Sequence, residues 1–524
     1  MIAGLLVLFA AATAKPVRGQ WLERYARETL DINNVHATVD ADGTLFSRLP
    51  KHRPGFETPA GSGLHTLFAS TLWIGGQSAN LELYQAAQFY RQNGRIDFFP
   101  GPVRLDGTSA APPSQWNRVY KVNQATVRSH RQSYDSPGYT VPPAIRQWPA
   151  NGPEGYASVL APYFDQSGDG GGYQPEKGDY PFFPGDQVCY FIYNDQYAAH
   201  TESGGQKMGI EVHGMMYGYD RPSNEALHNT VFVEYRIINR SSRNYQDVMV
   251  GQFIDFEIGY YLDDYIGVDT LLQTVYGYNS DAFDESTDTI AGYGNRPPAQ
   301  AAVLLNHELS YALHLENTAS SPRGRPDPGE AIQYYRLLEG RYKYNTTVPG
   351  GFSYPGDVCH LDTPGTQLST IPSDQRMIAS TGPFDLPSGG VLTVKWAFVA
   401  GPRPPAGEPE EAVCLLLDRV AALRKQQLVD AQPTKRPATR ARLSIAPNPV
   451  QQGREVRVTA PPEWRGSVAV RILTATGRPA WQRQYRLLGG DRRIGLPTHQ
   501  LPPGCYQVRL EGAGQSVSAP LLVR

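Results

Sequence analysis

The sequence predicts a mainly β protein: an antiparallel β-sandwich body with one late helix, followed by a small Ig-like β-sandwich at the C-terminus. Three observations carry that expectation. Gly 52, Pro 44 and Tyr 31 in 524 residues describe a chain rich in turns and aromatics, as short strands joined by tight loops require. Apolar residues alternate in short runs bounded by Gly or Pro, while a sustained helical period occurs once. The last stretch, residues 443–524, is a series of alternating segments separated by turn residues, the pattern of about seven short strands.

Taken in order, residues 1–19 read as a signal peptide. The apolar run 2–12 is too short to span a membrane, and Ala12-Thr13-Ala14 offers a small-x-small cleavage site. Residues 20–152 form an N-terminal β-rich region. Two extended pieces flank Asp42-Gly43, a hairpin-type turn. Residues 63–76 (GLHTLFASTLWIGG) are an apolar strand ended by glycines. Residues 83–90 suit a strand or a short helix, and 117–122 alternate like an edge strand. Asn123 then caps a short helix running to about His130.

Residues 153–401 form a central β-sandwich region opening with an Asp/Gly-rich loop. Strands are expected at 188–193, 208–216, 230–239, 248–257 and 391–400, with a polar, Pro-rich loop at 320–329. The helix lies within 402–430: Val413, Leu416, Val420 and Leu423 recur at three- and four-residue spacing and form one apolar stripe that packs on the β body. Residues 431–442 (AQPTKRPATRAR) are a linker with nothing to bury.

The tail opens LSIAPNPV, where Pro447-Asn448-Pro449 forces a turn out of its first strand, and continues through 468–473, 506–510 and 521–523. With its PNP opening, central Gly-Arg turn, PPG-x-Y-x-V-x-L strand and terminal Arg524, the whole module resembles the type A C-terminal sorting domain of type IX secretion cargo. That resemblance implies engagement of the type IX machinery, export across the outer membrane, removal of the domain, and release or anchoring at the cell surface. The body is similar, over about residues 30–401, to a set of uncharacterised cell-surface proteins of Bacteroidetes that carry the same tail; LDINNVHA, GSGLHTLFASTLWIGG, DGGGYQPEKGDYPFFPGDQ and IGYYLDDYIGVD carry the likeness. It implies a shared fold and no particular activity.

A net charge of -2 argues against nucleic acid as the main partner. No run of residues beyond the leader is apolar enough for a transmembrane helix. The four cysteines, Cys189, Cys359, Cys414 and Cys505, show no CxxC spacing. Export makes disulfides possible, but buried free thiols are the favoured expectation.

The strongest chemical motif is Asp165-Gln166-Ser167-Gly168-Asp169-Gly170. Oxygen-bearing side chains at alternate positions with glycine at the sixth are what a calcium loop requires, and the stretch resembles the D-x-N-x-D-G loops of dockerins and thrombospondin-type repeats. Glu176 stands at the twelfth position and Asp179 is a second closing candidate, so Asp165, Ser167, Asp169, Glu176 and Asp179 are expected to hold a structural calcium ion. A solvated Gly/Asp turn is the alternative.

A second acidic group comprises Asp255, Glu257, Asp263, Asp264 and Asp269, interleaved with Tyr260, Tyr261 and Tyr265. Asp255 and Glu257 share a strand face, roughly 6–7 Å apart by strand rise. Such a group suits a polar loop, a second metal or ligand site, or a glycosidase acid pair. No His, Arg or Lys lies among the five acids to set their pKa values apart.

His200, His213 and His228, with Glu202 and Glu211, read as hydrogen-bonded scaffold, because HExxH and zinc spacings are absent. G-x-S-x-G and P-loop motifs are absent too. The sequence therefore favours an exported protein that binds glycan or a surface protein without catalysis. The alternative is an exported glycan hydrolase using the acids of 255–269.

Overall fold

The computed structural model describes residues 25–48, 53–91, 94–316, 325–363, 365–405, 408–430 and 444–524, except 447, 449, 455, 460–465, 475–478, 488–492 and 513–514. The expected signal peptide, the linker, Pro447, Pro449 and the central Gly-Arg turn of the tail, Gly477-Arg478, lie outside the described residues. The chain divides into two compact units, Met1–Val429 and Asp430–Arg524.

Two antiparallel sheets build the first unit. The eight-stranded sheet runs, edge to edge, Arg27–Leu30, His36–Asp40, Phe56–Glu57, His65–Ser78, Tyr245–Phe256, Gln375–Leu386 and Tyr311–Glu316, with Leu83–Ala86 added beside His65–Ser78. The nine-stranded sheet runs Asp264–Asp269, Thr274–Asn279, Gln300–Leu304, Val391–Ala400, Thr230–Asn239, Ile210–Gly218, Gln187–Asn194 and Phe99–Pro100, with Tyr120–Asn123 also on Gln187–Asn194. The regions 20–152 and 153–401 thus contribute strands to the same two sheets: His65–Ser78 is hydrogen-bonded to Tyr245–Phe256.

Strand periodicity explains the layering. Val250, Ile254, Met377 and Ala379 of the first sheet meet Val212, Val233, Trp396 and Phe398 of the second in one hydrophobic core. The opposite faces are covered rather than wet. On the first sheet, Trp73, Phe253 and Ile378 pack under the helix Ala331–Leu338, whose Tyr334, Tyr335, Leu337 and Leu338 form its buried stripe. On the second, the helix Pro409–Asp430 lays down Val413, Leu416, Val420 and Leu423, all 0% exposed. Burying each such side chain stabilises the fold by about 1.5–3 kcal/mol. Double burial is why several strands read as continuous apolar runs rather than alternations.

The Asp42-Gly43 turn forms as expected. Gly43 has φ +87°, and a Cβ there would sit 2.6 Å from the Tyr193 ring, so glycine is required twice over. The helix Gln124–Ser133 follows Asn123, though the Asn123 side chain makes no capping bond. Residues 83–90 resolve to a strand, Leu83–Ala86.

One expectation is corrected. Cys359 and Cys414 form a disulfide, Cα atoms 5.5 Å apart, instead of remaining free thiols. The helix carries Cys414 to the loop holding Cys359, a proximity that a sequence separation of 55 conceals. Cys189 is a free, buried thiol, as expected.

The second unit is a sandwich of a three-stranded sheet (Ser444–Ala446, Val456–Thr459, Arg493–Leu496) and a four-stranded sheet (Pro479–Leu487, Gly466–Thr474, Gly504–Gly512, Gln515–Val523). Val458, Val470, Ile472, Val508 and Leu510 are buried in its core. Among the described residues, no helix is long and apolar enough to cross a membrane.

Candidate functional site

A cavity of about 250 Å³ opens on the outer face of the first sheet, beside the helix Ala331–Leu338. The antiparallel register places Asp255 opposite Arg376 on the neighbouring strand. Both side chains point away from the core because Ile254, Phe256 and Met377 point into it. Polar residues therefore occupy the continuation of a face that is otherwise aromatic.

Asp255 is 3% exposed. Its Oδ2 accepts a hydrogen bond of 2.6 Å from the Tyr90 hydroxyl, while its Oδ1 is buried without a hydrogen-bond partner. The Tyr90 ring meets Phe68 edge-on at 5.7 Å and Phe253 at 5.8 Å. Arg376, 1% exposed, lies 2.9 Å from Asp327 Oδ1 through its Nη2. Its Nε is buried with no hydrogen-bond partner. On the far wall Arg95 pairs with Glu202 at 3.0 Å, and Glu202 accepts from the Tyr334 hydroxyl at 2.7 Å. Asp97 clamps that wall by accepting the Glu202 N–H at 2.9 Å.

Burial, reinforced by Asp374, pushes the Asp255 carboxyl up to about 8 against the pull of Arg376. Burial, Asp255 and Asp374 hold Glu257 well above the usual carboxyl range. Burial also raises Glu202 to about 7, opposed by the Tyr334 hydrogen bond and Arg95. Desolvation and mutual repulsion thus keep protons on a group of acids at neutral pH. The site can donate and accept hydrogen bonds, and can release protons when a cation enters beside its carboxyls.

Phe68 and Glu257 also line a second cavity of about 480 Å³, with Arg48, His65 and Tyr261 on its walls. Burial and Arg48 lower the His65 imidazole to about 4.

Of the five acids grouped by sequence, only Asp255 and Glu257 line the first cavity. Asp264 is 0% exposed and accepts the Ile258 N–H at 3.0 Å. Asp269 accepts the Leu272 N–H at 2.8 Å. Asp263 is pushed up to about 8 by burial and by its contact with Glu285. Asp264 and Asp269 thus hold backbone turns through these amides, whereas both Asp263 oxygens are buried without a hydrogen-bond partner. The partners that set the pKa values of Asp255 come from elsewhere in the chain: Tyr90 lies 165 residues away, and Arg376 arrives on a strand that the sequence reading missed. Its only local signal was the apolar Met377-Ile378-Ala379, broken by Gly382-Pro383.

The Asp/Gly loop is held by hydrogen bonds to its own carboxyl groups. Asp165 Oδ1 and Oδ2 accept the N–H groups of Gly168 (2.6 Å) and Gly170 (3.0 Å). Asp169 accepts from Gly171 and pairs with Lys177 at 2.8 Å, and Ser167 donates to Asp165. Glu176 faces Arg146 at 3.4 Å. Asp179, 1% exposed, accepts from the Gln166 and Gln174 amides and closes the loop. In this arrangement Asp165 and Asp179 serve backbone amides of the loop, while Asp169 and Glu176 also meet Lys177 and Arg146.

His200, His213 and His228 are tied into the fold by hydrogen bonds. His200 bridges the carbonyls of Gln85 (2.8 Å) and Asp195 (2.9 Å). His213 contacts Glu211 at 2.7 Å, with Arg240 on the same carboxylate oxygen. His228 accepts the Arg221 N–H at 3.3 Å.

No family model matches the chain, and no curated protein matches it. Among solved structures it is similar to a polysaccharide lyase, with 9% identity and a TM-score of 0.19 over 60% of this chain. The match spans 34% of that protein's length. A likeness at that TM-score carries no argument about fold or activity.

Proposed function

We propose that this chain is an exported, cell-surface or secreted protein whose β-sandwich body binds a saccharide in the cavity around Asp255. The carrying observation is the buried, unpartnered Asp255 Oδ1 in an open cavity flanked by the Phe68 and Tyr90 rings. Aromatic rings with polar tips and carboxyl oxygens are the groups that recognise sugar faces and hydroxyls. The C-terminal sandwich acts as the type IX sorting domain; its separate compact unit and its seven strands support that role. The Cys359–Cys414 bridge supports passage through an oxidising compartment. Calcium at the Asp165–Asp179 loop is part of the same reading, and it requires Lys177 to leave Asp169.

A second reading is favoured by one observation: a carboxyl raised to about 8 is the protonated acid a glycan hydrolase needs. A glycan array run beside a polysaccharide hydrolysis screen separates the two. Binding without turnover, lost in Asp255→Asn, supports the binding protein. Turnover abolished by Asp255→Asn replaces it with the hydrolase, and neither binding nor turnover rejects both.

A further inference from the structure

We propose that the saccharide bound around Asp255 carries a free amino group, which the cavity takes up as its ammonium beside Asp255 and Glu257. This inference rests on the saccharide reading and narrows it to amino sugars.

Charge balance is the first argument. Five carboxyl groups line the cavity against two guanidiniums. Arg376 is matched to Asp327 at 2.9 Å and Arg95 to Glu202 at 3.0 Å. Asp255 meets a neutral phenol at one oxygen and nothing at the other. The groups facing Asp255 are Glu257 beyond the end of its strand, Asp374 and Arg376 across the register, and Tyr90 above it, with Asp327 behind Arg376. Neutral hydroxyls leave Asp255 and Glu257 protonated, whereas an ammonium beside them stabilises the ionised carboxylates, most strongly where the dielectric is low.

The donor pattern is the second argument. Once ionised by the incoming cation, Asp255 Oδ1 takes a proton donor, and the Arg376 Nε takes an acceptor on the same cavity wall. An ammonium adjacent to a hydroxyl oxygen supplies both, which is the arrangement at neighbouring carbons of an amino sugar. Phe68 and Tyr90, both on the cavity lining, add π systems of the kind that attract a cation. Because the acids hold protons when empty, binding of the cation expels them into solvent.

Isothermal titration calorimetry on the full chain tests this with glucosamine oligosaccharides and their fully N-acetylated counterparts at pH 6, in two buffers of different ionisation enthalpy. The free-amine form is expected to bind at least about tenfold more tightly, with proton release, and Asp255→Asn or Glu257→Gln is expected to remove that preference. Thermal melts of both variants verify folding. Equal binding of the two forms, or amine binding without proton release, overturns the inference and leaves the saccharide reading standing. Absence of binding by either form, or binding of oligolysine alone, rejects that reading too.

Discussion

Asp255 and Arg376 are register partners on adjacent antiparallel strands, and the Tyr90 hydroxyl engages both. Asp255 accepts from Tyr90 at 2.6 Å, and Arg376 reaches Asp327 at 2.9 Å. The pair places an acid that keeps its proton beside a guanidinium that never loses its own. The site's chemistry follows from that contrast.

Stability should fall as pH rises from about 4 to about 8. Asp255 is raised from 3.8 to about 8 in the folded protein, so over that interval the native state holds a proton the unfolded chain has lost. Glu257 acts in the same direction. Asp255→Asn, which resembles the protonated acid, should reduce the decline. Chemical denaturation at pH 5 and pH 8 measures it, and identical slopes for wild type and variant would refute the assignment.

Reduction of the Cys359–Cys414 bond should destabilise the first unit by about 2–4 kcal/mol. The bond ties the outer helix to the loop at Cys359 across 55 residues. Cys359→Ser with Cys414→Ser should lower the melting temperature and become insensitive to reductant. A reductant effect that persists in the double variant would place it elsewhere.

Calcium at the Asp/Gly loop should stabilise the protein by about 2.7 kcal/mol at a hundredfold excess over its dissociation constant. The Lys177–Asp169 pair, 2.8 Å long, competes with the ion, so Lys177→Ala should tighten binding. Asp165→Ala with Asp169→Ala should abolish the calcium-dependent rise in melting temperature. A rise retained in that variant would exclude this loop.

Export should remove residues 1–19 and the region after about residue 442. Intact mass of the secreted protein in a host with working type IX export checks both cuts. Recovery of the chain with residues 443–524 still attached would count against the sorting role. Deleting those residues should leave the protein in the periplasm.

Local patterns carried far in this chain. The strands Thr230–Asn239 and Val391–Ala400 match the expected spans, because alternation and β-branched runs are properties of neighbouring residues. The stripe Val413, Leu416, Val420 and Leu423 announced a buried helix by period alone. The helix Ala331–Leu338 gave no such warning, since eight residues hold barely two turns of signal.

What the sequence by itself determined is the mainly β class, the separate seven-stranded tail, the late helix and the presence of acids at Asp255 and Glu257. All of these are encoded within a few residues of one another. The tertiary structure alone decided that Tyr90 and Arg376 meet Asp255, that Asp264 and Asp269 turn aside to backbone amides, and that Cys359 reaches Cys414. Strand pairing sets these contacts across long stretches of chain. A carboxyl's proton affinity depends on the burial and charge that such pairing brings to it, which no local spacing records.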